Sequence, residues 1–166
     1  EKPKVFELDY DSSSEVPMIE PVCGVKQFLP LSNTFPPANR TNCFLIGDEL
    51  KERIVIDPSP KDLNEYEKLK NSLLKFGFGG IFLTHHHPDH HEFSTNLARD
   101  FNVPMKMSED THQRLIVKKG LSYFKGIKIE LYYDGEVVTK SNGRDIFLYS
   151  VPGHDEGQLG LAPKSM

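Results

Sequence analysis

Apolar residues recur along this chain with two different periods, and the alternation between them outlines a fold. Short apolar runs bounded by turn residues lie at 25–30, 42–47, 52–57 and 79–83, and each reads as a strand. Between them the period lengthens. Over 62–76, Leu63, Tyr66, Leu69, Leu73 and Leu74 fall on one side of a helix that Asp62 can cap and Phe76-Gly77 can end. Phe93, Leu97, Ala98 and Phe101 give 88–101 an amphipathic helical pattern, with Pro88 suited to its first position. A strand at 103–107 leads to a helix that Ser108 caps, that runs to about Lys118 and that Gly120 closes. Strands at 127–132, 136–140 and 145–151 follow, with Asp134-Gly135 and Asn142-Gly143 as hairpin signals between successive pairs. Residues 1–22 are rich in Ser, Pro and acidic groups without periodicity; they read as an extended or loosely docked N-terminal arm, and 23–166 as one domain. Strands, then alternating strands and helices, then strands predict a layered α/β domain.

Chemistry concentrates where the strand at 79–83 ends. Five of the seven histidines fall between 85 and 91, in Thr84-His85-His86-His87-Pro88-Asp89-His90-His91. Side chains two apart in an extended segment point the same way, so His85 and His87 can converge while His86 points elsewhere. Asp89 and His90 fall in the first turn of the helix that Pro88 opens. Imidazole nitrogen and carboxylate oxygen together suit Zn²⁺, Fe²⁺ or Mn²⁺. A further ligand is available from Pro152-Gly153-His154, a turn after the strand at 145–151. His85, His87 and His154 make a three-histidine set that leaves a fourth position for water. The competing reading is a histidine-rich surface loop or an affinity tag. A tag would be a homopolymer near a terminus, whereas this cluster is internal, interrupted by Pro88 and Asp89, and follows a core strand. His91 lies beyond the motif, and His112 sits on the polar face of a helix, where it is expected to be solvated. Asp89 has a local reading too, as an acid favoured at a helix N-terminus.

Composition narrows the classes. At 166 residues the chain can bury one sizeable core. It has no apolar stretch near ~20 residues, so no membrane contact is expected. Glu1-Lys2-Pro3-Lys4 opens no signal-peptide pattern. Cys23 and Cys43 have no metal spacing and make no disulfide framework, so a reducing cytoplasm is the default location. A net charge of −4 gives no electrostatic footprint for nucleic acid. The expected partner is a small-molecule substrate; the oligomeric state is not legible.

The order of these motifs resembles the metallo-β-lactamase superfamily, and its glyoxalase II-like members in particular. Asn42-Cys43-Phe44-Leu45-Ile46-Gly47 matches an early strand. Ile54-Val55-Ile56-Asp57-Pro58 matches the strand that ends in the family's first acidic position. Thr84-His85-His86-His87-Pro88-Asp89-His90 is the HxHxDH motif, and Val151-Pro152-Gly153-His154 is the third histidine motif. Leu29-Pro30-Leu31-Ser32-Asn33-Thr34-Phe35-Pro36-Pro37 also resembles the opening strand and loop of glyoxalase-like members. The resemblance spans roughly 25–163 and implies an αββα fold of two halves, of which this chain carries the first and the start of the second, at Leu159-Gly160-Leu161. Two further metal ligands of the family, a bridging aspartate and a late histidine, would lie beyond Met166.

What the resemblance implies for the site is specific. His85, His87 and His154 would hold one zinc ion. Asp89 and His90 would hold a second, Asp89 also orienting the attacking water as the catalytic residue; iron or manganese could replace zinc. Asp57 would orient a ligand or a neighbouring loop, with Thr84 assisting through its hydroxyl. The implied reaction is hydrolysis of a thioester, ester, lactam or lactone by a metal-bound hydroxide. Two alternatives stay open: a persulfide dioxygenase-like oxidoreductase with one iron, and a non-catalytic metal-binding or partner-binding fragment. Flavo-diiron members usually carry Glu where this chain has His87, which sets that subgroup aside.

Overall fold

The structure, a computed structural model, describes residues 15–22, 25–30, 43–84, 93–150 and 159–163. Their strands form two sheets. The larger has seven in chain order: β1 (Met18–Val22), β2 (Val25–Phe28), β3 (Cys43–Ile46), β4 (Ile54–Ile56), β5 (Gly80–Phe82), β6 (Met105–Ser108) and β7 (Ile129–Tyr132). Pairing is antiparallel from β1 to β4 and parallel from β4 to β7. The parallel steps need crossovers, which helices supply: α1 (Leu63–Leu74), α2 (Ser94–Phe101) and α3 (Glu109–Lys119). The smaller sheet is antiparallel, β8 (Val137–Ser141), β9 (Arg144–Ser150) and β10 (Leu159–Pro163), with β9 in the middle. Residues 18–22, part of the segment read as an arm, thus supply an edge strand.

Strand alternation sends neighbouring residues to opposite faces of the large sheet, and two cores result. Leu45, Val55, Ile81, Met105 and Met107 face the helices and pack with Tyr66, Leu69, Leu73, Leu97, Ala98 and Leu115. Ile46, Ile54, Ile56 and Phe82 face the other way and pack with Val138, Ile146 and Leu148 of the smaller sheet. The result is a helix layer on two stacked sheets, the mixed α/β architecture expected from the sequence.

Local signals read from sequence hold at the helix ends. The Asp62 carboxylate accepts from the Glu65 amide at 2.9 Å, and the Ser108 hydroxyl from the Thr111 amide at 3.1 Å. Gly77 (φ 75°) donates to the Leu73 carbonyl at 2.9 Å as α1 stops. Other readings need correction. Leu63 and Leu74, placed on the buried face of α1, are 60% and 61% exposed. Each residue turns the helix by about 100°, so both fall to one side of the buried stripe of Tyr66, Leu69 and Leu73; Leu73, at the same end as Leu74, is fully buried. The second helix begins at Ser94, because Phe93 is left-handed (φ 64°) and cannot continue a helical turn; 88–92 lie outside the described residues. Asp134-Gly135 does not close a hairpin: β7 and β8 belong to different sheets, and the turn carries the chain between layers. His112 is half-buried rather than solvated. Its ring lies 5.5 Å from that of Phe124, and its Nδ1 is buried without a hydrogen-bond partner among the described residues.

The Asn142-Gly143 reading is right, since Ser141 and Arg144 pair across it. Both residues have positive φ (54° and 77°), as a two-residue hairpin turn requires. Asp48 ties that turn to the large sheet: its carboxylate oxygens accept from the Asn142 and Gly143 amides at 2.6 and 2.9 Å. The Gly143 amide, and then that of Asn142, hold the Asp48 carboxyl below its ordinary range. A depressed folded-state value means that this contribution is present above the ordinary 3.8 and is lost as pH falls through the lower folded value. Hydrogen-exchange protection of these two amides is therefore expected to fall selectively only once pH drops below 3.8. Asp48→Ala should remove that protection already at neutral pH. Equal protection in the variant and the parent would show that the turn holds itself.

Candidate functional site

Parallel pairing of β4 with β5 brings two chain exits together. Val55 pairs with Ile81 and Ile56 with Phe82, so Asp57 and Leu83-Thr84 emerge side by side at the C-terminal end of the sheet. Ligands in open α/β sheets collect outside such ends. Asp57 turns sharply there. Its φ is 52°, a left-handed value that Asp adopts more readily than most residues. Its amide donates to the Phe82 carbonyl at 2.9 Å, which fixes the turn to the neighbouring strand.

The turned Asp57 side chain is buried and reaches Thr84. One carboxylate oxygen accepts from the Thr84 amide at 2.8 Å and the other from the Thr84 hydroxyl at 2.5 Å. Leu83, fully buried, donates its amide to the Lys106 carbonyl at 2.9 Å. The chain is therefore held at both residues before His85. This is the pair of Asp57 and Thr84 singled out from sequence, and the structure brings them into contact.

The chain is held again where it leaves the motif. Phe93 keeps its left-handed backbone while its ring stacks on Tyr66 of α1 (centroids 5.5 Å apart, planes at 23°). The Tyr66 hydroxyl donates to the Asp100 carboxylate on α2, and Lys70 meets the same carboxylate at 3.2 Å. Burial, then the bond to Asp100, pushes the Tyr66 hydroxyl well above its ordinary range. The same bond holds Asp100 below its own. The sequence reading missed this anchor, treating Tyr66 and Phe93 only as apolar helix positions. An aromatic side chain carries no local sign that its backbone will be left-handed.

His85, His87, Asp89 and His90, together with His86 and His91, lie outside the described residues, as does His154 between β9 and β10. Among the described residues no three His, Cys, Asp or Glu side chains are grouped to hold a metal. The nearby candidates that are described are already committed. Both Asp57 oxygens accept from Thr84. Burial, and then the Asp57 charge, push the Cys43 thiol far above its ordinary range, which disfavours the thiolate that a ligand or nucleophile would need. The donor set left for a metal is imidazoles plus the Asp89 carboxylate, which fits a borderline divalent ion.

Comparison with known proteins bears on this arrangement. The family model described as the metallo-beta-lactamase superfamily matches residues 36–154. Among solved structures, the chain is similar to a metallo-beta-lactamase from Pontibacter korlensis (TM-score 0.68, 16% identity), covering 90% of this chain and 67% of that one. It is similar to metallo-beta-lactamase IND-7 (TM-score 0.65, 16% identity, 87% of this chain and 64% of that one). It is also similar to rubredoxin oxygen:oxidoreductase from Desulfovibrio gigas (TM-score 0.70, 12% identity, 87% of this chain and 38% of that one). The chain thus spans less than two thirds of the length of IND-7. At these identities the likeness is one of fold. Comparison with curated proteins gives no match.

Proposed function

We propose, since this chain belongs to the metallo-β-lactamase superfamily, that it carries the metal-holding part of a metal-dependent hydrolase acting on a thioester, ester, lactam or lactone. The observation that carries this reading is the strand end at Asp57 and Thr84. A buried carboxylate grips the amide and hydroxyl of the residue next to His85, so the histidine run starts from a fixed point. Flexible ligands would lose conformational entropy on binding a metal; ligands launched from a fixed backbone lose less.

In this reading His85, His87 and His154 would hold one ion, and Asp89 and His90 would hold a second. Zinc is the metal favoured by the donor set, with iron or manganese as alternatives. When bound, such a metal supplies Lewis acidity that lowers the pKa of a coordinated water from about 15.7 toward 7. The chain's own residues do the rest. Asp89 accepts the hydrogen bond that orients the nucleophile, and Asp57 and Thr84 keep the motif in place. No serine or cysteine nucleophile is needed. A small-molecule substrate and a cytoplasmic setting belong to the same reading, the latter supported by the free, buried Cys43 thiol. Among the described residues no helix is long and apolar enough to cross a membrane.

The test is metal content and turnover measured together. The purified chain, loaded in turn with zinc, iron and manganese, is assayed on a panel of thioesters, esters, lactams and lactones. Hydrolysis that disappears on chelation and returns with zinc is the expected result. About one bound iron per chain with oxygen uptake on glutathione persulfide would overturn the hydrolase in favour of the dioxygenase-like reading. Metal binding without turnover on any substrate would instead leave a binding module.

A further inference from the structure

At the opposite end of the sheet from Thr84, the surface changes character. α3 runs back from the C-terminal end of β6 and hands over at Gly120 to a short 3₁₀ turn, Leu121–Phe124. Val117 and Leu121 flank that joint, and at 85% and 80% exposed they are the most exposed large apolar side chains among the described residues. Cations neighbour them along the chain. Between 111 and 128 the chain holds five Lys and Arg residues and no Asp or Glu, in a protein whose net charge is −4. Lys118, Lys119 and Lys125 are all exposed. Arg99 of α2 adds a sixth cation, fastened by donation to the Tyr123 and Lys125 carbonyls at 2.9 and 3.1 Å. The α3 face nearer its N-terminus balances its charge, with Asp110 paired to Arg114 at 2.8 Å. Lys128 is paired likewise, to Glu130 at 3.5 Å; Lys118, Lys119 and Lys125 have no ion pair among the described residues.

We propose that this joint docks the protein on an anionic lipid surface, with Val117 and Leu121 entering the headgroup boundary and Lys118, Lys119 and Lys125 meeting the lipid charge. Exposed aliphatic tips with exposed lysines close by in the chain match such an interface in both of its components, apolar contact and attraction to anionic headgroups. A nucleic acid would satisfy the lysines but offer no partner to the two aliphatic tips. Membrane contact was not expected because no apolar stretch is long enough to span a bilayer, but surface docking needs none. The topology adds a consequence. The joint lies at the N-terminal ends of the parallel strands and the Asp57–Thr84 pair at their C-terminal ends, so a docked molecule presents its candidate site to the aqueous phase.

The test is co-sedimentation of the chain with vesicles of phosphatidylcholine alone and of phosphatidylcholine mixed with phosphatidylserine, at physiological salt. Partitioning onto the mixed vesicles is expected to exceed that onto pure phosphatidylcholine by at least about tenfold. The triple variant Lys118→Glu, Lys119→Glu, Lys125→Glu and the double variant Val117→Ser, Leu121→Ser are each expected to lower it by at least about tenfold. All five positions are exposed, so both variants should fold; the urea midpoint should hold in the apolar variant and fall only slightly in the charge variant, whose Lys118→Glu and Lys119→Glu changes oppose the dipole at the end of α3. Equal partitioning onto both vesicles, or none onto either, overturns the proposal. So does an effect of the charge variant without one of the apolar variant, or tighter binding to single-stranded DNA than to the mixed vesicles.

Discussion

Asp57→Ala is expected to weaken zinc binding by roughly 10- to 100-fold and to destabilise the fold by about 2–4 kcal/mol. Two hydrogen bonds are lost, from the Thr84 amide and the Thr84 hydroxyl, both made to one buried carboxylate. Bonds to a charged group are each worth about 1.5–3 kcal/mol net, and Thr84 is only half-buried, so water recovers part of the loss. Ala also fits the left-handed backbone at φ 52° poorly, at a cost of about 1–2 kcal/mol. Asp57→Gly separates the two effects, because glycine removes the carboxylate and accepts the backbone. The metal effect should persist in the glycine variant while part of the stability loss is recovered. Chelator competition gives the affinity and urea unfolding the stability. Unchanged zinc affinity in both variants would show that Asp57 serves the fold alone.

Phe82→Ala should destabilise the protein by about 3–5 kcal/mol, a large part of the 5–15 kcal/mol typical of a domain. Phe82 is fully buried where the two sheets meet, among Ile54, Ile56, Ile146 and Leu148, with its ring 5.8 Å from that of Tyr132. Both flanking layers are sheets braced by their own ladders, so the cavity cannot collapse easily, and the upper half of the range is favoured. Leu74→Ala is the control. That residue was expected in the core but is 61% exposed, so its truncation should change stability by less than about 0.5 kcal/mol. A similar shift in the two urea midpoints would mean that the inter-sheet core contributes no more than the surface does. The Phe82 carbonyl that accepts the Asp57 amide at 2.9 Å belongs to the backbone and is kept in the variant, so the site is expected to change only as far as β5 shifts into the cavity.

Much of the fold was legible before any coordinates. The strand-helix alternation, the Asp62 and Ser108 caps and the Asn142-Gly143 hairpin are local signals, decided within a few residues by hydrogen-bond chemistry and by tolerance of positive φ. The misreadings share a cause. Asp134-Gly135 turns the chain as its composition says, yet a turn signal does not tell which sheet receives the next strand. Leu63 and Leu74 lie to one side of the buried stripe of α1, and an apolar pattern does not tell how wide an arc of the helix its neighbours will cover. His112 looked solvated because Phe124, the ring beside it, comes from the turn after its own helix.

The site divides along the same line. The histidine motif could be read as metal chemistry because imidazoles and carboxylates at short spacing are uncommon and need no distant partner to be noticed. Sequence alone therefore determined the layered α/β class and marked which side chains are candidate metal ligands. Tertiary structure decided that Asp57, 27 positions before Thr84, holds it by both carboxylate oxygens. It also decided that Tyr66 stacks on a left-handed Phe93. Those pairings arise from the parallel register of β4 with β5 and the packing of α1 beside α2. Contacts between residues far apart in the chain depend on how whole elements pack together, and no local pattern encodes that.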